Sequence, residues 1–555
     1  MKAGTIHGLG VSPGTARAPL ARLAPPVRTS ADDPVTEQPQ AALARIEWAL
    51  GAVAAEMAER ADRAEGVAVD ILLTTSAMAG DPTLLTVAGE RLRAGSPTGH
   101  AVTLAVESFC AQLESHGGYL AERVTDLRDI AARAVALLAG VPMPGIPAPG
   151  YPIVLTARDL SPADTATLPG SDVVALLTEE GGPTSHTAIL AKSLGLPAVV
   201  GCRAAADVEV GVPVLVDGST GEVRIGPDAE RALAAGLPAA RPIDASGPGR
   251  TRDGVGVALL NNVGTLADAR AAAATDSEGV GLFRTEFLFL GRRTEPGVDE
   301  QADAYAEVFR AFGDRPVVLR TLDAGSDKPL PFLPLGEEEN PALGVRGLRT
   351  STVFPEALSG QLTAVAKAAR AVGRSVRVMA PMVATAEEAS WFADTAREHG
   401  IDDVGVMIEV PAAALRAGEL LDVVDFVSIG TNDLGQYTMA ADRAAGALGH
   451  LLDPWQPALL DLVALVGAAG RARGKPVGVC GEAASDPLLA AVLVGLGVTS
   501  LSMAPVSRPA VHSELAGLSA DDCVDIAEAA RGSVGARQAR ARAREVRDQR
   551  WSVPA

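Results

Sequence analysis

Cysteine, aromatic residues and net positive charge are all scarce in this chain, and each scarcity excludes something. Four of the 555 residues are cysteine, namely Cys110, Cys202, Cys480 and Cys523, and no two form a Cys-x-x-Cys pair. Neither a disulfide framework nor a clustered metal site follows from that spacing, and the usage suits a reducing cytoplasm. Aromatic residues are 3% of a chain that is 48% hydrophobic, so its cores must be built mainly from Ala, Val and Leu. Acidic residues outnumber basic ones 68 to 48, and the formal charge of −20 argues against a nucleic-acid surface. The Arg-rich stretch from Arg537 to Arg550 is a local exception that reads as a solvated last helix. No 18-residue apolar span is free of charges or breakers, and no basic stretch with a long apolar core opens the chain. Membrane insertion and export are therefore not expected, and the protein is expected to be cytoplasmic.

What is present is organised by periodicity. The chain is too long for one core, and three domains are expected. Ile6 to Gly14 reads as a strand ending in a tight turn. From about Pro39 to Leu138 the pattern is helical, with Leu43, Ile46, Leu50 and Val53 spaced 3, 4 and 3 along one apolar face. Turn signals at Gly80-Asp81-Pro82, Gly95-Ser96-Pro97 and Gly117-Gly118 divide it into the helices of a small bundle. After a Pro/Gly-rich link, short apolar strands return at 153–155, 173–176, 198–200 and 214–216, alternating with short helices. The expected fold class is multidomain α/β. Residues 1–28 and 150–227 form one α/β domain, 29–149 an inserted bundle, 228–250 a linker helix and 251–555 a final domain. Eight candidate strands at 255–262, 279–285, 316–322, 376–382, 404–410, 426–430, 476–480 and 499–504 make that last domain a TIM barrel.

Two regions carry chemistry. Gly181-Gly182 delivers Thr184, Ser185 and His186 to the start of a helical run that stops at Gly195-Leu196-Pro197. Thr184 or Ser185 can cap that helix, which leaves His186 in a first turn whose free N–H groups favour an anion. Such an imidazole can hold a phosphoryl group; a capped helix with an exposed histidine is the plainer alternative. In the barrel, polar groups cluster where the strands end: Arg284-Thr285-Glu286, Arg320-Thr321-Leu322-Asp323, Glu409, Asn432-Asp433 and Cys480-Gly481-Glu482. Active sites are built on that face. Arg284, Arg320 and Arg443 would form a clamp for phosphate and carboxylate oxygens. Glu409 and Asp433 are the hard oxygen ligands that Mg²⁺ prefers, or ordinary partners of those arginines. Cys480, in an apolar strand, reads by default as a buried inert thiol.

Seven long stretches then show a resemblance. GGPTSHTAILAKSLGLPAVVG (181–201), GVGLFRTEFLFL (279–290), LRTLDAGSDK (319–328), ENPALGVRGLR (339–349), IEVPAA (408–413), IGTNDLGQYTMAADR (429–443) and VCGEAASDP (479–487) resemble Enzyme I of the bacterial sugar phosphotransferase system, the phosphoenolpyruvate–protein phosphotransferases. The resemblance implies a swivelling phosphohistidine domain with an inserted helical bundle, followed by a phosphoenolpyruvate-binding TIM barrel. It places the phosphoryl carrier on His186, partnered by Thr165, and the proton donor on Cys480. Substrate binding falls to Arg284, Arg320, Arg443, Asn432 and Asp433, with Arg346 in support, and Mg²⁺ binding to Glu409 and Asp433. It implies pyruvate as product, the carrier protein HPr as acceptor at the bundle, and a homodimer formed through the barrel. The segment Val67 to Met78 lacks the histidine and extra acidic residues expected of the acceptor-docking hairpin, whereas Glu122 to Ile130 matches well. A phosphoenolpyruvate synthase or pyruvate phosphate dikinase would add an ATP-binding domain with Gly-rich phosphate loops, for which there is no stretch here. A regulatory phosphoprotein of this fold would be expected to have lost one of these residues, and all are present.

Overall fold

A computed structural model describes residues 4–12, 14–23, 26–62, 67–116, 118–141, 143–165, 167–182, 186–227, 229, 246–290, 292–326, 329–336, 338–443 and 446–551. The chain divides into two compact units, Met1–Leu237 and Pro238–Ala555.

The first unit is built on an eight-stranded mixed sheet. Its strands are β1 (Gly4–His7), β2 (Leu9–Ser12), β3 (Thr15–Arg22), β4 (Ile153–Ala157), β5 (Val173–Thr178), β6 (Ala198–Val200), β7 (Pro213–Asp217) and β8 (Glu222–Ile225). They lie in the order β1-β8-β7-β3-β4-β5-β6-β2, with the β3 to β6 run parallel and the flanking pairs antiparallel. Because side chains alternate along a strand, Ile153, Leu155 and Leu176 fill one core while Val154, Leu177 and Val199 fill a second on the opposite face. That two-sided burial is why β4 and β5 read as continuous apolar runs.

Between β3 and β4 the chain forms the helices Pro39–Ala61, Val67–Ala79, Pro82–Arg93, Thr98–His116 and Gly118–Leu138. Pro39 occupies the first turn of its helix, where its missing N–H is no loss. Asp81 caps the helix Pro82–Arg93 by accepting from Thr83 N at 2.8 Å. Ile46, Val53, Met57, Val106 and Ile130 form the bundle core. Of the anticipated linker helix at 228–250, residues 228 and 230–245 lie outside the described residues.

The second unit contains a closed barrel of eight parallel strands: β9 (Ala258–Val263), β10 (Val280–Arg284), β11 (Val317–Arg320), β12 (Arg377–Ala380), β13 (Asp403–Ile408), β14 (Phe426–Ile429), β15 (Val477–Val479) and β16 (Ser500–Met503). β9 begins at 258 rather than 255. Thr251 accepts from Val255 N at 3.0 Å, and Gly254 takes φ 88°, so residues 251–255 close a turn instead of extending the strand. Leu282, Val318, Met379, Met407, Phe426 and Cys480 form an apolar cluster among the barrel strands. Gly281 has no room for a side chain, because a Cβ there would stand 2.5 Å from Cβ of Ser502.

Candidate active site

Five of the barrel strands deliver the polar groups of its mouth. β10 ends at Arg284 and β11 at Arg320. β13 stops one residue before Glu409, and β15 one residue before Cys480. β14 gives way to the helix Thr431–Met439, whose first turn carries Asn432 and Asp433.

Arg320 is buried, and its Nη2 donates to Glu286 Oε1 at 2.9 Å and lies 3.3 Å from Asp323 Oδ2. Burial opposes its charge, but Glu286, Asp323 and Glu409 outweigh burial and hold the guanidinium firmly protonated. Arg346 is fully buried and forks onto Asp323, with Nε to Oδ1 and Nη2 to Oδ2 both at 3.0 Å. Its remaining nitrogen, Nη1, donates to Asp433 Oδ1 at 2.9 Å, so Arg346 ties Asp323 to Asp433. Arg443 approaches the other oxygen, Nη1 to Oδ2 at 3.5 Å. Arg284 differs from these three: it is exposed and has no ion-pair partner among the described residues.

The two carboxylates proposed for metal are tuned in opposite directions. Burial pushes the Glu409 carboxyl up to about 7, with help from the neighbouring charges of Asp433 and Asp323. Burial also works to raise Asp433, but Arg346 and Arg443 prevail and hold it below the ordinary carboxylate range. Glu409 is seated by backbone. Oε1 accepts from Met382 N at 2.6 Å, and a Cβ on Gly430 would stand 3.0 Å from Oε2. Met382 is buried at φ 60°, a conformation that costs a non-glycine residue about 1–3 kcal/mol. The strained turn therefore serves to present an N–H to Glu409.

Cys480 is 3% exposed, with Sγ 3.6 Å from Ile429 O. Burial raises its pKa, against the opposing effects of Ser428 and Arg320, so the thiol keeps its proton at neutral pH. The backbone around it is tethered on both sides. Asn262 Nδ2 donates to Cys480 O, and Glu482 N donates to Asn432 Oδ1, each at 3.1 Å. A Cβ on Gly481 would come within 2.0 Å of Thr431 Oγ1, so this turn fits against the helix of Asn432 only with glycine.

Sequence reasoning missed the supports of this site. Glu286 and Asp323 stand in the strand-end clusters, where they read only as polar. Gln361, in mid-helix, gave no signal. It is buried, donates through Nε2 to Thr285 Oγ1 and Tyr305 OH at 3.1 Å each, and accepts from Leu322 N at 2.9 Å. That chain holds the segments carrying Arg284 and Arg320 together.

In the first unit, His186 is the first residue of the helix His186–Leu194. Gly181 adopts φ 98° before it, and Gly195 at φ 65° ends it with Leu196 N donating to Ala191 O at 2.9 Å. The caps read at Thr184 and Ser185 lie outside the described residues, as does any pairing of the His186 ring with Thr165. Thr187 Oγ1 donates to Asp159 Oδ1 at 3.2 Å, and Thr165 is buried in the segment that follows. Just before it, Asp164 takes a 2.7 Å bond from Nη2 of fully buried Arg133 of the bundle, whose Nε bonds Asp129 at the same distance.

Family models match most of the length of the chain. The family described as PEP-utilising enzyme, PEP-binding domain, matches residues 243–520, the mobile domain of the same enzymes matches 150–221, and their N-terminal domain matches 7–123. A phosphoenolpyruvate-protein phosphotransferase of Streptomyces coelicolor is 50% identical over 98% of this chain and 99% of its own length. The chain belongs to the phosphoenolpyruvate-protein phosphotransferase family. A member of that family from Geobacillus stearothermophilus is 37% identical, over 94% of this chain and 95% of its own. A solution structure of an Enzyme I protein aligns with 41% of this chain and 97% of its own at 28% identity and a TM-score of 0.35. No helix among the described residues is long and apolar enough to cross a membrane.

Proposed function

We propose that the chain takes the phosphoryl group of phosphoenolpyruvate onto His186 and passes it to the carrier protein HPr, the first step of sugar uptake by the phosphotransferase system. The observation that carries this reading is the barrel mouth, where arginine forks and two buried carboxylates neighbour the buried thiol of Cys480.

Each residue then has a physical role. Arg284, which no carboxylate neutralises among the described residues, and the pre-aligned Arg320 and Arg443 bind the phosphate and carboxylate of the substrate. Asn432 has its Oδ1 engaged by Glu482 N, leaving Nδ2 to donate to a substrate oxygen. Arg346 spends its bonds on Asp323 and Asp433, and so supports the clamp from beneath. Among the described residues no three His, Cys, Asp or Glu form a complete metal cluster. Glu409 and Asp433 nonetheless fit Mg²⁺: both are hard oxygen donors, and their mutual repulsion is what a cation relieves. Magnesium held there would neutralise phosphate charge and stabilise the departing enolate oxygen. Neutral His186 attacks phosphorus through one ring nitrogen, with Thr165 proposed to fix the tautomer. Cys480 gives its thiol proton to the enolate carbon, forming the C–H bond of pyruvate.

His186 and Cys480 belong to different units, so the α/β domain of 1–28 and 150–227 must carry the phosphoryl group from the barrel to the bundle of 29–149. A homodimer through the barrel and a cytoplasmic location complete the reading.

The test is transfer of labelled phosphate from phosphoenolpyruvate in the presence of Mg²⁺. The label is expected on His186, acid-labile and base-stable. Label persisting in the His186→Ala protein overturns the assignment, and label donated by ATP instead points to dikinase chemistry.

A further inference from the structure

Where the chain leaves the Cys480 turn, at Asp486, lies a cluster with no part in the roles assigned above. Trp455 is the largest fully buried side chain among the described residues, and its Nε1 donates to Asp486 Oδ2 at 3.1 Å. Asp486 Oδ1 caps the helix Pro487–Gly495, accepting from Leu488 N at 3.0 Å and Leu489 N at 3.2 Å. Trp455 N in turn donates to Asp453 Oδ1 at 3.1 Å. Across this group comes Arg540 from the helix Ala536–Arg550. Its guanidinium carbon lies 5.5 Å from the centroid of the Trp455 ring, and its Nη2 lies 3.8 Å from Asp453 Oδ1 and 4.0 Å from Asp486 Oδ2.

The placement gives this cluster leverage. Asp486 closes the segment that begins at Cys480, and Trp455 closes the segment that leaves Arg443. The Cys480 turn is pinned by Ile429, Asn262 and Asn432, and the short segment that follows it, with Ala483 and Ala484 in the core, ends on the capping aspartate that Trp455 and Arg540 hold. The charge logic is one-sided as well. The side chains of Asp453 and Asp486 are 13% and 25% exposed, and Arg540 is the cation placed between them. Without it two poorly solvated carboxylates face each other, and Asp486 has reason to turn outward and release its cap. Arg540 also lies beyond residue 520, where the match to the PEP-binding domain ends.

We propose that Arg540, acting through Trp455 and Asp486, is a positioning residue that fixes the Cys480 turn for proton transfer. The C-terminal helix is thereby part of the apparatus of the barrel mouth. The inference rests on the reading of Cys480 as proton donor. A proton donor displaced by about 1 Å loses up to roughly 10²-fold in rate, while Arg284 and Arg320, on other strands, still bind substrate.

The experiment is steady-state pyruvate formation by full-length Arg540→Met, Arg540→Lys, Trp455→Phe and Cys480→Ala proteins and by the Arg540→Met, Cys480→Ala double variant, with melting temperature measured on each. Arg540→Met and Trp455→Phe are expected to lower kcat about 10- to 100-fold with KM for phosphoenolpyruvate little changed. Arg540→Lys should recover most of that loss, since an ammonium can still bridge the two aspartates. In the double variant the Arg540 change should slow the Cys480→Ala protein no further, because the donor it positions is gone. Normal kcat in both Arg540→Met and Trp455→Phe, whatever their melting temperatures, overturns the proposal, and so does an Arg540 effect that adds fully to that of Cys480→Ala. Should Arg540→Met not fold, Trp455→Phe carries the same comparison. Normal turnover by Cys480→Ala sinks the proton-donor reading itself, a result distinct from a slow Cys480→Ala beside a normal Arg540→Met.

Discussion

Burial keeps the Cys480 thiol protonated, because a thiolate beside Leu282, Met379 and Phe426 would lose its hydration. A group in that state is a poor nucleophile and a loaded acid. Cys480→Ala is therefore expected to slow pyruvate formation by about 10²–10⁴-fold while melting temperature and phosphoenolpyruvate affinity move little. Kinetics and melting on one preparation check this, and full activity with a lowered melting temperature returns Cys480 to the core. Asp433 behaves differently, since it neutralises buried Arg346 and also meets Arg443. Asp433→Ala is expected to abolish activity at every Mg²⁺ concentration and to destabilise the barrel by about 1–3 kcal/mol in denaturant titration, because buried Arg346 keeps its fork on Asp323 but Nη1 loses its carboxylate partner. Arg284→Lys should preserve stability, as Arg284 is exposed and has no ion pair among the described residues to lose, yet impair turnover severely. A point-charge ammonium does not replace a planar fork.

Elements are joined by groups that neither contributes alone. Arg133 of the helix Gly118–Leu138 reaches Asp129 on its own helix and Asp164 in the segment carrying Thr165. One buried cation thus serves two carboxylates. Burial, followed by the opposing pull of Arg133 and the push of Asp164, leaves the Asp129 carboxyl raised to about 6. The folded state holds that proton more tightly than the unfolded chain does. The associated stability is fully present below the ordinary aspartate pKa of 3.8 and is lost as pH rises through about 6. Asp129→Asn should flatten the stability of the first unit over that window, and a melting series from pH 4 to 7 read by circular dichroism checks it. An unchanged pH profile in the variant would show that Asp129 titrates normally.

For the whole molecule, the exposed apolar side chains on the barrel bear on assembly. Leu343, Val353, Trp391 and Leu415 are 65%, 52%, 45% and 64% exposed, on the successive crossovers from β11 to β14. Exposed apolar residues on neighbouring crossovers suit the proposed homodimer. Trp391→Asp combined with Leu415→Asp is expected to convert a dimer to monomer in sedimentation velocity with the circular dichroism spectrum unchanged. Wild-type protein that sediments as a monomer throughout the micromolar range would remove the dimer from the proposal.

Several features were fixed by local pattern. Eight apolar runs bounded by polar clusters specified the barrel strands to within a few residues, because a fully buried parallel strand must be apolar along its length. The same spacing put Arg284, Arg320, Glu409, Asp433 and Cys480 at or shortly after the ends of those strands, the face on which active sites are built. Gly195 and Pro197 marked the end of the His186 helix for equally local reasons. Other features depended on contacts between distant segments. Nothing near Arg346 in sequence says that its fork closes on Asp323 and Asp433, and nothing near Gln361 says that it bridges Thr285 and Tyr305. Burial, which raises Glu409 and protects the thiol of Cys480, is a property of the closed barrel rather than of either residue. The pairings of Arg133 with Asp164 and of Trp455 with Asp486 likewise exist only because the fold brings separate segments into hydrogen-bond range, a distance no periodicity encodes.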